Sequence, residues 1–153
     1  MNRSYQYDVV IVGGGTAGVA AAVGAAKAGS RTLLVERNAY LGGEATNSGV
    51  NCFCGFYTCG ADPVCVVKGV GQLVLDEMRA LGPTVDEVVS ASGNRDIIFR
   101  PEYLKCALDN LLEKEHVDYF LHTVVIGAEM ENGKIRAIRC ADDEGMFTVS
   151  AKA

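Results

Sequence analysis

An α/β fold, a parallel sheet joined to a three-stranded β-meander, is what the sequence predicts, and three observations carry it. The apolar run Val9-Val10-Ile11-Val12 enters Gly13-Gly14-Gly15-Thr16-Ala17-Gly18 directly. An Ala-rich, Pro-free stretch from Thr16 to Ala28 follows, and then a second apolar run, Arg31-Thr32-Leu33-Leu34-Val35. Beyond His122 three strand-like segments recur, with Asn132-Gly133 between the first two. A short β-branched run reads as a buried parallel strand, and an Ala-rich stretch suits a helix. The glycines therefore sit at a strand-to-helix turn, in a Rossmann-like order.

Each glycine of Gly-x-Gly-x-x-Gly has a physical task. Gly13 permits the tight turn, Gly15 lets a pyrophosphate approach the backbone, and Gly18 lets helix and strand pack closely. The first helical residues, Thr16 and Ala17, offer free N–H groups and a partial positive charge to phosphates. Glu36 follows the second strand, 23 positions after Gly13. An acid ~20 residues on is expected to bond the ribose, and a carboxylate there has acceptors for both ribose hydroxyls of an adenosine. A glycine-rich turn with a surface Glu is the alternative. The strand before, the helix after and the acid at this distance together favour a bound dinucleotide.

The remaining elements follow in order. Met1 to Gln6 reads as a short polar lead, Tyr7 to Val12 as the first strand, and Ala17 to Ala28 as the first helix. Gly24 weakens that helix by about 1 kcal/mol relative to Ala, and close packing on the sheet is the expected compensation. Gly29 suits the residue just past its end. Asn38 to Gly49 reads as a loop, and Asn51 to Cys65 has no clean periodicity. Val67, Val70, Val74, Met78 and Leu81 recur at threes and fours, which marks an amphipathic helix stopped by Gly82-Pro83. Thr84 to Phe99 predicts a hairpin about Ser92-Gly93-Asn94. Pro101 suits the first position of a helix whose apolar face is Leu104, Ala107, Leu108, Leu111 and Leu112. Val117 to Leu121 is a third parallel strand. Thr123 to Met130, Lys134 to Cys140 and Met146 to Ala151 form the meander, with a tight turn at Asn132-Gly133.

The chain of 153 residues is 49% hydrophobic and 22% charged, the composition of a globular domain with its own core. A net charge of −5 sets nucleic acid and anionic membrane surfaces aside as partners. The N-terminal apolar run is cut at Gly13, which leaves no secretory h-region, and no run approaches the ~20 apolar residues of a membrane span. Six cysteines beside a nucleotide-binding turn point to a reducing, cytoplasmic setting.

Beyond Glu36-Arg37 comes Leu41-Gly42-Gly43-Glu44-Ala45-Thr46, then Cys54-Gly55-Phe56-Tyr57-Thr58. With these residues the chain resembles the FAD-dependent oxidoreductases of the glutathione-reductase-like superfamily, in the family related to fumarate reductase flavoproteins. The helix at Pro101-Glu102-Tyr103-Leu104-Lys105, Leu121-His122-Thr123 and the meander fit as well, so the resemblance covers essentially the whole chain. It implies that residues 1–153 form the N-terminal portion of an FAD-binding domain, with residues 50–100 as an insertion carrying a helix and a hairpin. It also implies that Gly13, Gly15 and Gly18 cradle the FAD pyrophosphate and that Glu36 holds the ribose. By the same resemblance Gly42, Gly43 and Thr46 approach the pyrophosphate and ribityl chain, and Asn47 and Ser48 lead toward the isoalloxazine. Arg37 is read either as lying beside adenine or as a solvated charge. Val125 is read either as an adenine contact or as strand core, and Gly42-Gly43 as a flavin loop or a plain turn.

Three departures from the family pattern matter. Covalent flavoproteins of the fumarate reductase type carry a His ahead of the Gly-Gly loop, whereas this chain has Asn38-Ala39-Tyr40-Leu41. Non-covalent FAD is the expectation. The disulfide reductases carry a Cys two residues after Gly-Gly, whereas this chain has Ala45, which argues against that thiol–disulfide exchange. Family members continue past the meander into a further strand and an acidic Gly-rich motif closing the flavin site. The fold is therefore expected to be incomplete at its C-terminus, the flavin pocket completed by a continuation or a second subunit.

Cys52, Cys54, Cys59 and Cys65 are dense, yet Cys-x-Cys-x4-Cys-x5-Cys matches neither a paired zinc pattern nor a ferredoxin run. The spacing predicts no metal, with the thiols used mainly in packing. Cys106 and Cys140 read as structural. His116 and His122, the only histidines, flank a strand and read as structural too. Tyr57 and Arg100 are candidates for reaching a substrate, against a surface or capping role for Arg100. The function expected is hydride transfer between a small-molecule substrate and FAD. An NAD(P)-binding module and a non-catalytic subunit requiring a partner chain are the alternatives; Glu36 suits NAD, while the Gly-Gly loop and the meander argue against it.

Overall fold

The elements, in a computed structural model that describes residues 3–83, 85–91 and 93–153, are as follows. They run β1 (Arg3–Gln6), β2 (Val9–Val12), α1 (Thr16–Lys27), β3 (Thr32–Val35), α2 (Glu44–Asn47), β4 (Cys52–Phe53) and α3 (Val70–Ala80), then β5 (Val85–Val89), β6 (Arg95–Phe99), α4 (Pro101–Lys114), β7 (Asp118–Phe120), β8 (Val124–Glu131), β9 (Lys134–Asp142) and β10 (Gly145–Ser150). They fall into two compact units, residues 1–41 with 112–153, and residues 42–111.

In the first unit β2, β3 and β7 form the expected parallel sheet, in that order. Every residue of β3 is buried, as a strand covered on both faces requires. α1 packs on β2 and β3 through Val19, Ala22 and Val23, spaced three and four apart. It ends at Gly29 with φ +85°, the left-handed residue the sequence places there. His116 (φ 56°) does the same for α4: its N–H donates to the Glu113 carbonyl and that of Val117 to the Leu112 carbonyl. Asn132 and Gly133, at φ 50° and 74°, make the expected tight turn between β8 and β9.

The N-terminal lead departs from expectation. Residues 3–6 are a strand, β1, running parallel to β10 with Arg3 opposite Phe147 and Gln6 opposite Ser150. The meander therefore becomes a four-stranded sheet, β1-β10-β9-β8. Alternation explains it: Ser4 and Gln6 are exposed, while on the other face Tyr5 lies edge-on to Phe120 and Phe147 at 5.1 and 5.4 Å and Arg3 bonds Asp142 and Glu144. The strand expected over Tyr7 to Val12 is cut at Tyr7-Asp8, where the chain passes from one sheet to the other. Tyr7 is buried at the junction, its hydroxyl donating to Asp118 at 2.8 Å. Burial, then that bond, pushes its pKa up to about 12. Tyr7, Leu33, Val35, Ile138, Cys140, Phe147 and Val149 form one core, so the two sheets share an interior. Along the outer edge of β2 the Val10 N–H donates to the Ala153 carbonyl at 2.9 Å.

In the second unit β4, β6 and β5 form an antiparallel sheet. β5 and β6 are the expected hairpin, although Thr84 and Ser92 lie outside the described residues. Phe53 stacks 4.4 Å from Phe99 and 5.8 Å from Phe56. α3 buries Val74, Leu75 and Met78 and begins at Val70 rather than Val67, because Gly69 at φ +69° breaks the run. Within the expected loop 38–49, residues 44–47 make one helical turn. Along α4, which runs on from this unit into the first, Leu104, Ala107, Leu108, Leu111 and Leu112 are all buried, the face read from the sequence. No described helix is long and apolar enough to cross a membrane.

The expected compensation at Gly24 is absent: a Cβ there meets nothing within 4 Å. At Gly18 the opposite holds, since a Cβ would lie 1.8 Å from the Gly13 carbonyl oxygen. Urea unfolding therefore separates the two helical glycines. Gly24→Ala raises stability by about 1 kcal/mol through helix propensity. Gly18→Ala lowers it by about 1–3 kcal/mol, the usual cost of overpacking. Equal effects at the two positions would contradict this packing of α1.

Candidate functional site

The site in the first unit is built where β2 ends and α1 begins. Gly13 takes φ +103°, open to few residues but glycine, and its N–H donates to the Val35 carbonyl at 2.8 Å. Gly15 is the N-cap of α1, and no side chain caps the helix. The first helical hydrogen bond runs from the Val19 N–H to the Gly15 carbonyl. The N–H groups of Thr16, Ala17 and Gly18 thus precede the helical ladder, and no acid in the first turn competes for them. This end of α1 suits an anion.

Glu36 follows β3 and is only 6% exposed. Its Oε2 accepts the Gly14 N–H at 2.6 Å. Its Oε1 accepts the Asn38 N–H at 2.8 Å and the Asn38 side-chain amide at 2.6 Å. The Glu36 backbone is fixed as well, its N–H donating to Phe120 and its carbonyl accepting from Thr123. A carboxylate has about four acceptor positions, so room remains for about one further donor, on Oε2. The expectation that Glu36 takes both ribose hydroxyls is therefore too generous, because the protein's own amides already hold most of the carboxylate.

Glu36 lines a cavity of about 270 Å³ with Val12, Gly13, Arg37 and Val125. Val125 is half-buried and also packs against the core, while Arg37 is exposed at the rim. β8 bulges just after Val125, between residues 125 and 127. The cavity is thus walled by Val124 and Val125 at the start of β8, by Glu36 and by the Gly13 turn.

Gly42, Gly43, Thr46, Asn47 and Ser48 belong to the second unit. Gly42 has φ +108°, and a Cβ on it would meet Thr46 Cγ2 at 2.4 Å. Gly43 (φ 56°) caps α2, and the Thr46 hydroxyl donates to its carbonyl at 3.2 Å. The turn alone thus demands both glycines. Thr46 is buried, whereas Asn47 and Ser48 are exposed.

Three further residues shape the site without having been singled out by any sequence motif. Gly14 is one: a Cβ would lie 2.5 Å from Leu41 Cδ2 and 3.0 Å from Glu36 Cβ. Asn38, two residues past an acid, is the kind of side chain that bonds locally to it, and that spacing was a usable signal. Thr123, buried and bonded to Glu36 through its backbone, left no such signal.

Among the other candidates, the Tyr57 hydroxyl donates to Glu87 at 3.1 Å, and Arg100 is exposed beside α4. The cysteines do not fill a core as expected. Cys54 and Cys59 are exposed, Cys52 and Cys65 half-buried, and of the six only Cys140 is buried. Burial, then Cys54 and Asp96 beside it, pushes the Cys52 thiol up to about 11.

Residues 8–153 match the FAD dependent oxidoreductase family. The thiamine thiazole synthase of Aeropyrum pernix is 29% identical over 160 aligned positions, covering 95% of this chain and 53% of that protein. Two solved structures share the fold. A geranylgeranyl bacteriochlorophyll reductase-like protein of Thermoplasma acidophilum superposes with TM-score 0.65 and 22% identity, over 98% of this chain and 38% of that one. A flavocytochrome c3 fumarate reductase superposes with TM-score 0.63 and 16% identity, over 97% of this chain and 33% of that one. The chain spans between 10% and 53% of the length of the first curated relatives it matches. With nearly every residue matched and the Rossmann-like turn in place, the chain belongs to the FAD dependent oxidoreductase family, whose cofactor is FAD.

Proposed function

We propose that the chain is the FAD-binding part of an oxidoreductase that passes a hydride between a small-molecule substrate and non-covalently held FAD. The observation that carries this reading is the buried Glu36 carboxylate, fixed by Gly14 and Asn38, at the end of a cavity beside an uncapped helix. When bound, the flavin supplies the hydride chemistry, and the protein orients it.

The roles of this chain's residues follow from charge and shape. The N–H groups at Gly15, Thr16, Ala17 and Gly18 face the pyrophosphate, with Gly13 keeping the turn tight. Glu36 accepts one ribose hydroxyl through its remaining acceptor position. Val125 forms the apolar wall for adenine, and Arg37 closes the rim. Gly42, Gly43, Thr46, Asn47 and Ser48 are assigned to the flavin half by family resemblance. Asn38-Ala39-Tyr40-Leu41 offers no His for a covalent link.

The sheet offers a place for further chain. On the outer edge of β2 the described backbone bonds include one to Ala153, at Val10, and Val12 is 58% exposed at the end of the strand. An unpaired edge is a liability that proteins cover. In the intact protein a further strand, from the same chain or a partner, covers this edge and completes the flavin wall. NAD binding is the second reading, supported by Glu36 alone.

Three outcomes follow. Acid precipitation of the flavin-loaded protein releases the yellow colour to the supernatant; colour kept in the pellet would mean a covalent link. Glu36→Ala weakens FAD binding by about 1.5–3 kcal/mol, the size of a charge-assisted hydrogen bond. Titration alongside the melting temperature checks this, since the substitution also orphans the Gly14 amide. Unchanged affinity removes Glu36 from the site, and tighter binding of NADH than of FAD favours the second reading. Finally, a chain extended to the full protein binds FAD more tightly than residues 1–153 alone; equal affinity and equal turnover would show that the edge of β2 needs no cover.

A further inference from the structure

We propose that Cys52, Cys54 and Asp96 form a binding site for a zinc-class divalent ion, independent of the flavin reading. Strand geometry brings them together. Residues two apart in extended chain point the same way, and Cys54, one residue past β4, keeps its sulfur beside that of Cys52. The antiparallel register pairs Cys52 with Ile98 and Phe53 with Ile97, and one step on it sets Asp96 across from Cys54. Ile97 and Phe99 are buried on the opposite face, so Asp96 shares with Ile98 the face that carries the thiols.

The distances suit a metal. One ligand atom from each of the three residues lies within 4.8 Å of the other two. The sulfurs are 3.6 Å apart. Two thiolates on a tetrahedral zinc, each at about 2.3 Å, stand about 3.8 Å apart, whereas a disulfide would need about 2.05 Å. Asp96 Oδ1 is buried and accepts no hydrogen bond. A buried carboxylate oxygen without a partner is costly, and a cation would satisfy it. Cys59 bonds Asn94 at 3.0 Å and Cys65 the Val67 carbonyl at 3.4 Å, so neither joins the site. Cys54 is exposed, so water can reach the group and serve as the fourth ligand. Sequence spacing showed no tetrahedral pattern because the third ligand is an aspartate on a neighbouring strand.

The test is zinc titration of the reduced, anaerobically purified 153-residue chain against a chromophoric chelator, with cobalt as spectroscopic probe. One equivalent binds. Cys52→Ser, Cys54→Ser and Asp96→Asn each lower the affinity by at least about tenfold, since even outer-shell losses cost 10–100-fold. Cys59→Ser and Cys65→Ser leave it unchanged. X-ray absorption of the zinc-loaded wild type, which needs no variant to fold, shows two sulfur and two lighter ligands. No zinc binding, binding lost in Cys59→Ser or Cys65→Ser, or a shell of no sulfur or four sulfurs each overturns the proposal.

Discussion

The carboxylate of Glu36 is the constraint on which the first unit depends. One residue ties the glycine turn, the end of β3 and the entry to β8: Gly14 and Asn38 through its side chain, Phe120 and Thr123 through its backbone. A carboxylate this buried must be hydrogen-bonded, because desolvating it without partners would cost several kcal/mol. The amides supply those partners, and in doing so they hold Gly14 against Leu41 and Glu36. The shape of the cavity beside Gly13 follows. The group suited to recognise a ribose is the same group that fixes the turn suited to recognise phosphates.

This coupling explains how the glycines divide their work. Gly18 is needed because α1 meets the Gly13 carbonyl, and Gly13 because the backbone turns left-handed there. Gly14, the residue between the motif positions, is boxed by side chains, with Leu41 Cδ2 2.5 Å from where a Cβ would stand. Gly42 is likewise demanded by its own turn and by Thr46, so a Gly-Gly pair is no proof of ligand contact by itself.

Much of this was legible in the sequence, and the gaps have physical causes. The strand-glycine-helix-strand order, the Leu104 to Leu112 face and the Asn132-Gly133 turn are local patterns with fixed periods, so they read directly. β1 was missed because four residues with polar ends carry little signal; its partner, β10, lies more than a hundred residues away. Asp96 was missed for the same reason, since cross-strand register is invisible until the strands are paired. The capacity of Glu36 was overstated because its type and position are written in the sequence while its existing bonds are not.

The central claim is that one cavity at the end of β3 and the uncapped start of α1 hold the adenosine diphosphate half of FAD. A crystal structure of the chain with FAD tests it most directly. The expected result is pyrophosphate oxygens within hydrogen-bond reach of the first α1 amides, a ribose hydroxyl on Glu36 Oε2, and adenine against Val125. Adenine seated elsewhere, with the Glu36 carboxylate still holding Gly14 and Asn38 and touching no ligand, would contradict it.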